Sequence, residues 1–362
     1  MGFTCGLVGL PNAGKSTIFN ALSGACAKVE SYPFSTIDAN AAKVAVPDAR
    51  LDRLASLFPE KKKVPTHLEF IDIAGLVKGA SEGEGMGNQF LSEIRAVDAI
   101  LHVVRCFVDP NVAHVSGEID PQSDVEVVET ELLLKDYETL GRVRERLLRE
   151  VKGGDRKAQA RLAVWELLLA EVARGVPIRA LSPDREIADL LVESSPLTAK
   201  PILYVANVGD VGENDHSRGV ERLARERGTE AIVVRGRIEA EIAEAAGSEE
   251  ERQVFLKEWG LTETGLSQLV AAGHRLLRLV TFFTIEGPEV RAWTVPEGTL
   301  APQAGAKIHT DFAERFVLAE VMALDELLQS GSEKALREGG RVRRAGRDYV
   351  VEDGDVIHFI CA

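Results

Sequence analysis

The strongest chemical signal in the chain is Gly9-Leu10-Pro11-Asn12-Ala13-Gly14-Lys15-Ser16, which has the G-x-x-x-x-G-K-[ST] spacing of a phosphate-binding loop. Gly9 and Gly14 let the backbone turn tightly, so that its N–H groups face phosphate oxygens. Lys15 is the residue that reaches the β- and γ-phosphates, and the Ser16 hydroxyl is a Mg2+ ligand. Asn12, Ala13, Gly14, Lys15, Ser16 and Thr17 are therefore the candidate phosphate-binding residues.

Three later segments supply the rest of a nucleotide site. Asp72-Ile73-Ala74-Gly75 follows the apolar run Leu68–Ile71, about sixty residues beyond the loop. An Asp at a strand end can hold a water on Mg2+, and the Gly75 N–H can contact the γ-phosphate. Between the two lies Tyr32-Pro33-Phe34-Ser35-Thr36-Ile37-Asp38. Thr36, with Ser35 as the alternative, is the candidate second Mg2+ oxygen. The third segment is Asn207-Val208-Gly209-Asp210, at the point where GTPases place Asn-Lys-x-Asp. A carboxylate there accepts two N–H donors from guanine, whereas adenine presents one amino donor beside a ring acceptor. Val208 replaces the Lys and Asp210 keeps the acid, so the guanine code is half present. The residue after Asp72-Ile73-Ala74-Gly75 is Leu76, where many GTPases carry a water-orienting Gln. His114 is a candidate water positioner, or else a loop-packing histidine.

These residues need elements to hold them. Phe3–Val8 reads as a buried strand leading into the loop, and Thr17–Leu22 as the helix leaving it, whose positive end favours phosphate. Apolar β-rich runs at Leu68–Ile73 and Ala99–Val104 continue the rhythm of a parallel sheet covered by helices. From about residue 124, Val125, Val128, Leu132, Tyr137, Leu140, Leu147 and Val151 recur at helical spacing. A Gly153-Gly154 break and a second stripe (Leu162, Trp165, Leu168, Leu169, Val172) predict an antiparallel helical hairpin. The sheet pattern resumes at Pro201–Asn207 and Ala231–Val234. The hairpin, residues 124–199, is thus an insertion dividing one nucleotide-binding domain into 1–123 and 200–277. Residues 278–362 read as a small separate α+β domain, with strands at Phe282–Ile285, Glu289–Val295, Phe316–Val321, Tyr349–Val351 and Val356–Ile360 and a short helix at Asp325–Ser330.

The 362 residues are 45% hydrophobic and carry a net charge of −14. That acidity disfavours nucleic acid except through local basic patches. Two exist. Residues 135–161 hold nine Lys/Arg against five acids, a local charge of +4, and residues 334–347 reach +5. The first reads equally as a solvated helix face. No apolar run reaches the roughly 18 residues of a membrane span, and no signal peptide is visible. Cys5, Cys26, Cys106 and Cys361 are scattered without a C-x-x-C pair, which fits incidental thiols in a reducing cytoplasm.

The run Gly6–Thr17, the segment Tyr32–Asp38 and the stretch from Asp72 through Glu82-Gly83-Glu84-Gly85-Met86-Gly87-Asn88-Gln89-Phe90-Leu91 resemble the YchF/Obg-like ATPase family, within the Obg-related translation-factor GTPases. So do Glu289–Thr294, Ala301–Ala304, Ile308–Phe312 and Tyr349–Val356, so the resemblance spans essentially the whole chain. It implies an α/β P-loop NTPase domain with an inserted helical hairpin and a C-terminal ubiquitin-like TGS domain. It further implies ATP preferred over GTP, and association with the ribosome or rRNA. K+ beside Asn12 is implied as an activator, against a plain loop-capping role for that Asn. The family often has Glu where this chain has Asp210, which keeps GTP use open. Arg235-Gly236-Arg237 stands at the base loop, with the Gly236 N–H as a candidate base contact. A guanine-specific GTPase is the alternative reading, and a small-molecule kinase a distant third.

Overall fold

The computed structural model describes residues 2–27, 40–73, 86–115, 117–181, 190–191, 194–246 and 249–362. Two compact units emerge, one formed by residues 1–44 and 69–273, the other by 45–68 and 274–362.

The first unit is built on six strands: β1 (Phe3–Val8), β2 (Ala41–Ala45), β4 (His67–Asp72), β5 (Ala99–Cys106), β6 (Ile202–Val208) and β7 (Ala231–Val234), in the order β2-β4-β1-β5-β6-β7. β5 is parallel to both β1 and β6, and β6 to β7. Every residue of β5 and β6 is buried, as a sheet covered on both faces requires. Helix α1 (Lys15–Ala27) leaves β1 through the phosphate loop, and α3 (Met86–Ala96) precedes β5. Ile94, Val97, Val125, Val128, Leu132, Val220 and Ala224 close over one face of this sheet.

The hairpin is α4 (Pro121–Lys152) and α5 (Arg156–Ala173). Asp120 caps α4 through Ser123 N, and Pro121 sits at the first turn, where its missing N–H is harmless. Gly153 caps the end, Gly154 turns at φ +92°, and Asp155 caps α5. Leu140, Leu147, Ala158, Trp165, Leu168 and Val172 form its seam. Tyr137, read as part of the apolar stripe, is instead exposed.

Two buried carboxylates fasten α4 to its surroundings. Asp136 accepts from Leu197 N, Thr198 N and Thr198 Oγ1 at 2.7, 2.7 and 2.6 Å. Glu129 Oε1 accepts from Arg179 at 2.8 Å and from the Tyr204 hydroxyl at 2.6 Å, while Oε2 accepts from Arg227. The Tyr204 ring lies 5.7 Å from buried His102 on the neighbouring strand β5.

The second unit carries a sheet ordered β11-β10-β12-β8-β9-β3: β3 (Lys62–Val64), β8 (Leu279–Thr284), β9 (Glu289–Pro296), β10 (Phe316–Ala323), β11 (Arg343–Ala345) and β12 (Asp355–Cys361). Successive residues point to opposite faces of a strand, so Phe282 and Phe283 enter two different cores. The stretch Tyr349–Val351, expected as a strand, contributes only a single bridge from Val350 to Leu300. The expected helix at 325–330 is present as Leu324–Ser330.

Residues 45–68, placed by sequence inside the first nucleotide-binding segment, group with this second unit. β3 pairs in parallel with β9, and Leu51 and Leu54 of α2 (Ala49–Ser56) pack on Phe283, Val290 and Met322. Arg50 bridges to Asp353 at 2.6 Å, and Asp353 also accepts from Thr281 N at 2.8 Å. No helix among the described residues is long and apolar enough to cross a membrane.

Candidate nucleotide site

The phosphate loop joins β1 to α1, and its shape is fixed by positive φ at Asn12 (+63°) and Gly14 (+94°). Gly14 has no room for a side chain, because a Cβ there would stand 2.1 Å from Asn207 Nδ2. That amide donates to Ala13 O at 2.9 Å, and Asn207 Oδ1 accepts from Gly236 N at 3.1 Å. Buried Asn207 thus ties the phosphate loop to the start of α7 (Gly236–Ala245; α6 is Asp215–Glu226). The single Gly236 N–H is used in this tie, so the expected base contact from it is replaced by a structural one.

Lys15 is buried, and its Nζ donates to Gly9 O and Leu10 O, each at 3.1 Å. Desolvation lowers its pKa, and the Asp72 charge pulls the other way. The Ser16 hydroxyl donates to Asp72 Oδ2 at 2.8 Å. Asp72 Oδ1 is buried and has no hydrogen-bond partner among the described residues. A hydroxyl beside a carboxylate with an uncompensated oxygen is a hard-oxygen set that fits a divalent cation. Thr36, Ser35, Gly75, Leu76, Gly83 and Gly85 lie outside the described residues.

A cavity of about 430 Å³ opens beside this loop, lined by Asn12, Gly14–Thr17, Phe107–Asp109, Val112, Asn207–Asp210 and Arg237. Its size suits a small-molecule ligand. The Phe107 wall is pinned by Arg105, a buried residue that sequence reasoning missed. Arg105 donates to Phe107 O, Ala113 O and Val112 O at 3.2, 3.2 and 2.8 Å and stacks on the Phe107 ring at 4.6 Å. An Arg at the end of an otherwise apolar strand was the available signal. Asn12 Nδ2 donates to Ala113 O at 3.0 Å, which gives that side chain a loop-tying role.

His114 does not line the cavity. Its Nε2 pairs with Asp124 Oδ2 at 3.0 Å, and the two side chains are 5% and 8% exposed. A buried polar group needs a partner, and here each supplies the other's, so His114 anchors the loop to α4 rather than reaching the cavity.

Buried Glu239 of α7 accepts from Gly265 N at 2.7 Å and Leu266 N at 3.0 Å, at the start of α9 (Gly265–Leu276; α8 is Glu249–Glu258). Burial pushes its pKa up to about 7 against those two donors. With the folded pKa above the unfolded one, its contribution is fully present below pH 4.5 and is lost as pH rises towards 7, by up to about 3 kcal/mol. His102 runs the other way, because burial holds its imidazole near 3 and its contribution grows as pH rises from there to 6.5. The Glu239→Gln variant isolates the first effect. Urea unfolding at several pH values should show wild type losing ground to the variant between pH 4.5 and 7.5. Parallel curves would remove Glu239 as the cause.

The comparisons with known proteins bear on the same residues. A 50S ribosome-binding GTPase family model matches residues 4–138. The YchF-GTPase_C model, described as a protein of unknown function, matches residues 279–361. The chain is 46% identical over 362 residues to the ribosome-binding ATPase YchF of Escherichia coli O157:H7, covering 99% of each. The chain belongs to the YchF family. The ribosome-binding ATPase YchF of Bacillus subtilis (strain 168) is 47% identical over 364 residues, with 99% of each chain covered. The solved YchF GTPase of Schizosaccharomyces pombe superposes with a TM-score of 0.89 at 35% identity, over 99% of this chain and 97% of that one. The YchF likeness thus covers both units, including the residues that line the cavity.

Proposed function

We propose that this chain is a cytoplasmic, ribosome-associated ATPase that hydrolyses ATP slowly, uses GTP less well, and acts as a nucleotide-dependent switch in translation or stress regulation. The observation that carries the reading is the Lys15–Ser16–Asp72 cluster at one end of a cavity whose other end lacks the guanine-reading Lys. The names of the bacterial relatives support ATP and the ribosome.

The reaction is in-line attack of water on the γ-phosphate. Lys15 and the loop N–H groups neutralise charge on the transferring phosphoryl group and hold it in place, which carries most of the rate. Ser16 and Thr36 would hold Mg2+, with Asp72 behind them, and the ion would supply further neutralisation of phosphate charge. K+ activation through Asn12 belongs to the same reading, although the Asn12–Ala113 bond favours loop tying. Leu76 cannot orient a water, so turnover is slow without a partner. Exposed Arg142, Arg146, Lys334 and Arg344 on the hairpin and the C-terminal TGS-like unit would meet rRNA phosphates.

The test is calorimetric titration with non-hydrolysable ATP and GTP analogues, in Mg2+ with and without K+. ATP tighter by tenfold, about 1.4 kcal/mol, is the expected result. Equal or tighter GTP binding would favour the GTPase reading, which the retained acid at Asp210 and the description of the fission-yeast relative support. Ribosome sedimentation that weakens steeply with salt would support the basic surfaces, and a flat salt response would remove them.

A further inference from the structure

The carboxylate at the base end of the cavity is already engaged. Arg237, the second residue of α7, donates through NH2 to Asp210 Oδ2, and both line the cavity beside Val208 and Phe107. Asp210 Oδ1 accepts no hydrogen bond among the described residues. The turn that carries Asp210 is held from several sides. Gly212 N donates to Gly209 O at 3.0 Å, Asn214 Nδ2 donates to Cys106 O at 2.7 Å, and the Arg235 guanidinium lies against Gly212. Glu241, one turn along α7, lies 3.8 Å from Arg237 Nε in an exposed ion pair.

Guanine presents two adjacent donors, N1–H and the 2-amino group, and needs two free acceptors. Here one oxygen already accepts from a guanidinium, which sets a cationic donor where guanine would bring a donor of its own. Adenine presents an amino donor next to a ring acceptor, which is the complement of a free carboxylate oxygen beside a guanidinium N–H. We propose that the Arg237–Asp210 pair is an adenine-reading edge, with Asp210 Oδ1 accepting from the 6-amino group and an Arg237 N–H donating to ring N1. Arg237 is then a specificity-determining residue, and it turns an acid that would read guanine towards adenine. This rests on the ATP reading above and names the group that produces it. Both side chains are partly exposed, 65% for Arg237 and 38% for Asp210. An ion pair of that kind is weak in water, so it biases the choice and strengthens when a base covers it.

The experiment titrates full-length wild type, Arg237→Ala, Arg237→Met, Asp210→Ala and the double variant Arg237→Ala/Asp210→Ala with the same two analogues. Arg237→Met keeps the stem and serves if the alanine variant folds poorly. Removing Arg237 should weaken the ATP analogue about tenfold and tighten the GTP analogue severalfold, moving their ratio by tenfold or more. Adding Asp210→Ala should cancel the GTP gain. A ratio that moves less than threefold overturns the proposal, as does a GTP gain that survives without Asp210. The wild-type ratio is read separately. A wild type that prefers GTP defeats the ATP reading, while the shift on removing Arg237 still tests the pair.

Discussion

Replacing Gly14 with alanine will destabilise the first unit by about 3–9 kcal/mol and weaken nucleotide binding at least about a hundredfold. Two effects add. An L residue held at φ +94° is strained by about 1–3 kcal/mol. The new Cβ also meets Asn207 Nδ2 at 2.1 Å, so the amide must leave Ala13 O and Gly236 N. Each buried group left unpaired costs about 1–3 kcal/mol. Asn207→Ala breaks the same tie without backbone strain and should fall between wild type and Gly14→Ala. Urea unfolding with analogue calorimetry checks both. A Gly14→Ala protein with wild-type midpoint and affinity would mean that the loop relaxes without help from Asn207.

Removing the Glu129 side chain is the second large effect. Glu129→Ala takes the carboxylate from Arg179, Arg227 and the Tyr204 hydroxyl, leaving two cations with only neutral acceptors, Thr198 O and the Tyr204 hydroxyl. Breaking a buried ion pair from one side costs about 3–5 kcal/mol. The two Arg side chains keep some water, at 17% and 30% exposure, which sets the expectation near 3 kcal/mol, the low end of that range. Glu129→Gln keeps one acceptor and should lose less. Chemical denaturation measures both, and a loss below about 1 kcal/mol for the alanine variant would show that water replaces the carboxylate.

Much of this was legible from the residues alone. The phosphate loop announced itself because Gly9 and Gly14 stand where no side chain fits, while Lys15 and Ser16 carry the chemistry. The hairpin was legible because its 3.6-residue period persists over two helices and stops at Gly153-Gly154. What escaped depends on contacts far apart in sequence. Asn207 was legible as part of the nucleotide-site segment, but not that its amide joins two loops. Gly236 was expected at the base, but its N–H has that amide as partner. His114 looked reactive because its type titrates near neutrality, while Asp124, ten residues on, had already claimed it. The Arg237–Asp210 pair joins residues 27 apart on different elements. The segment 45–68 went by sequence with the nucleotide-binding segment 1–123 but groups with the second unit, because β3 has three residues and finds its partner only in β9.

That last pairing bears on how the chain is made. Lys62 pairs with Glu289, so β3 leaves the ribosome 227 residues before the strand it will join. Until β9 arrives, the short strand and the apolar face of α2 have no sheet to enter. An unpaired strand beside exposed Leu51 and Leu54 is a ready template for association between nascent chains. Long-range pairing of this kind also slows folding, because the intervening loop must be ordered before any contact rewards it. The charges of Lys61, Lys62 and Lys63 around β3 suit that waiting period, since a strand edge rich in lysine resists pairing with its own kind. A chain truncated before residue 279 would keep that strand and that helix face unpaired permanently, an exposure set at the beginning of the sequence rather than at its cut end.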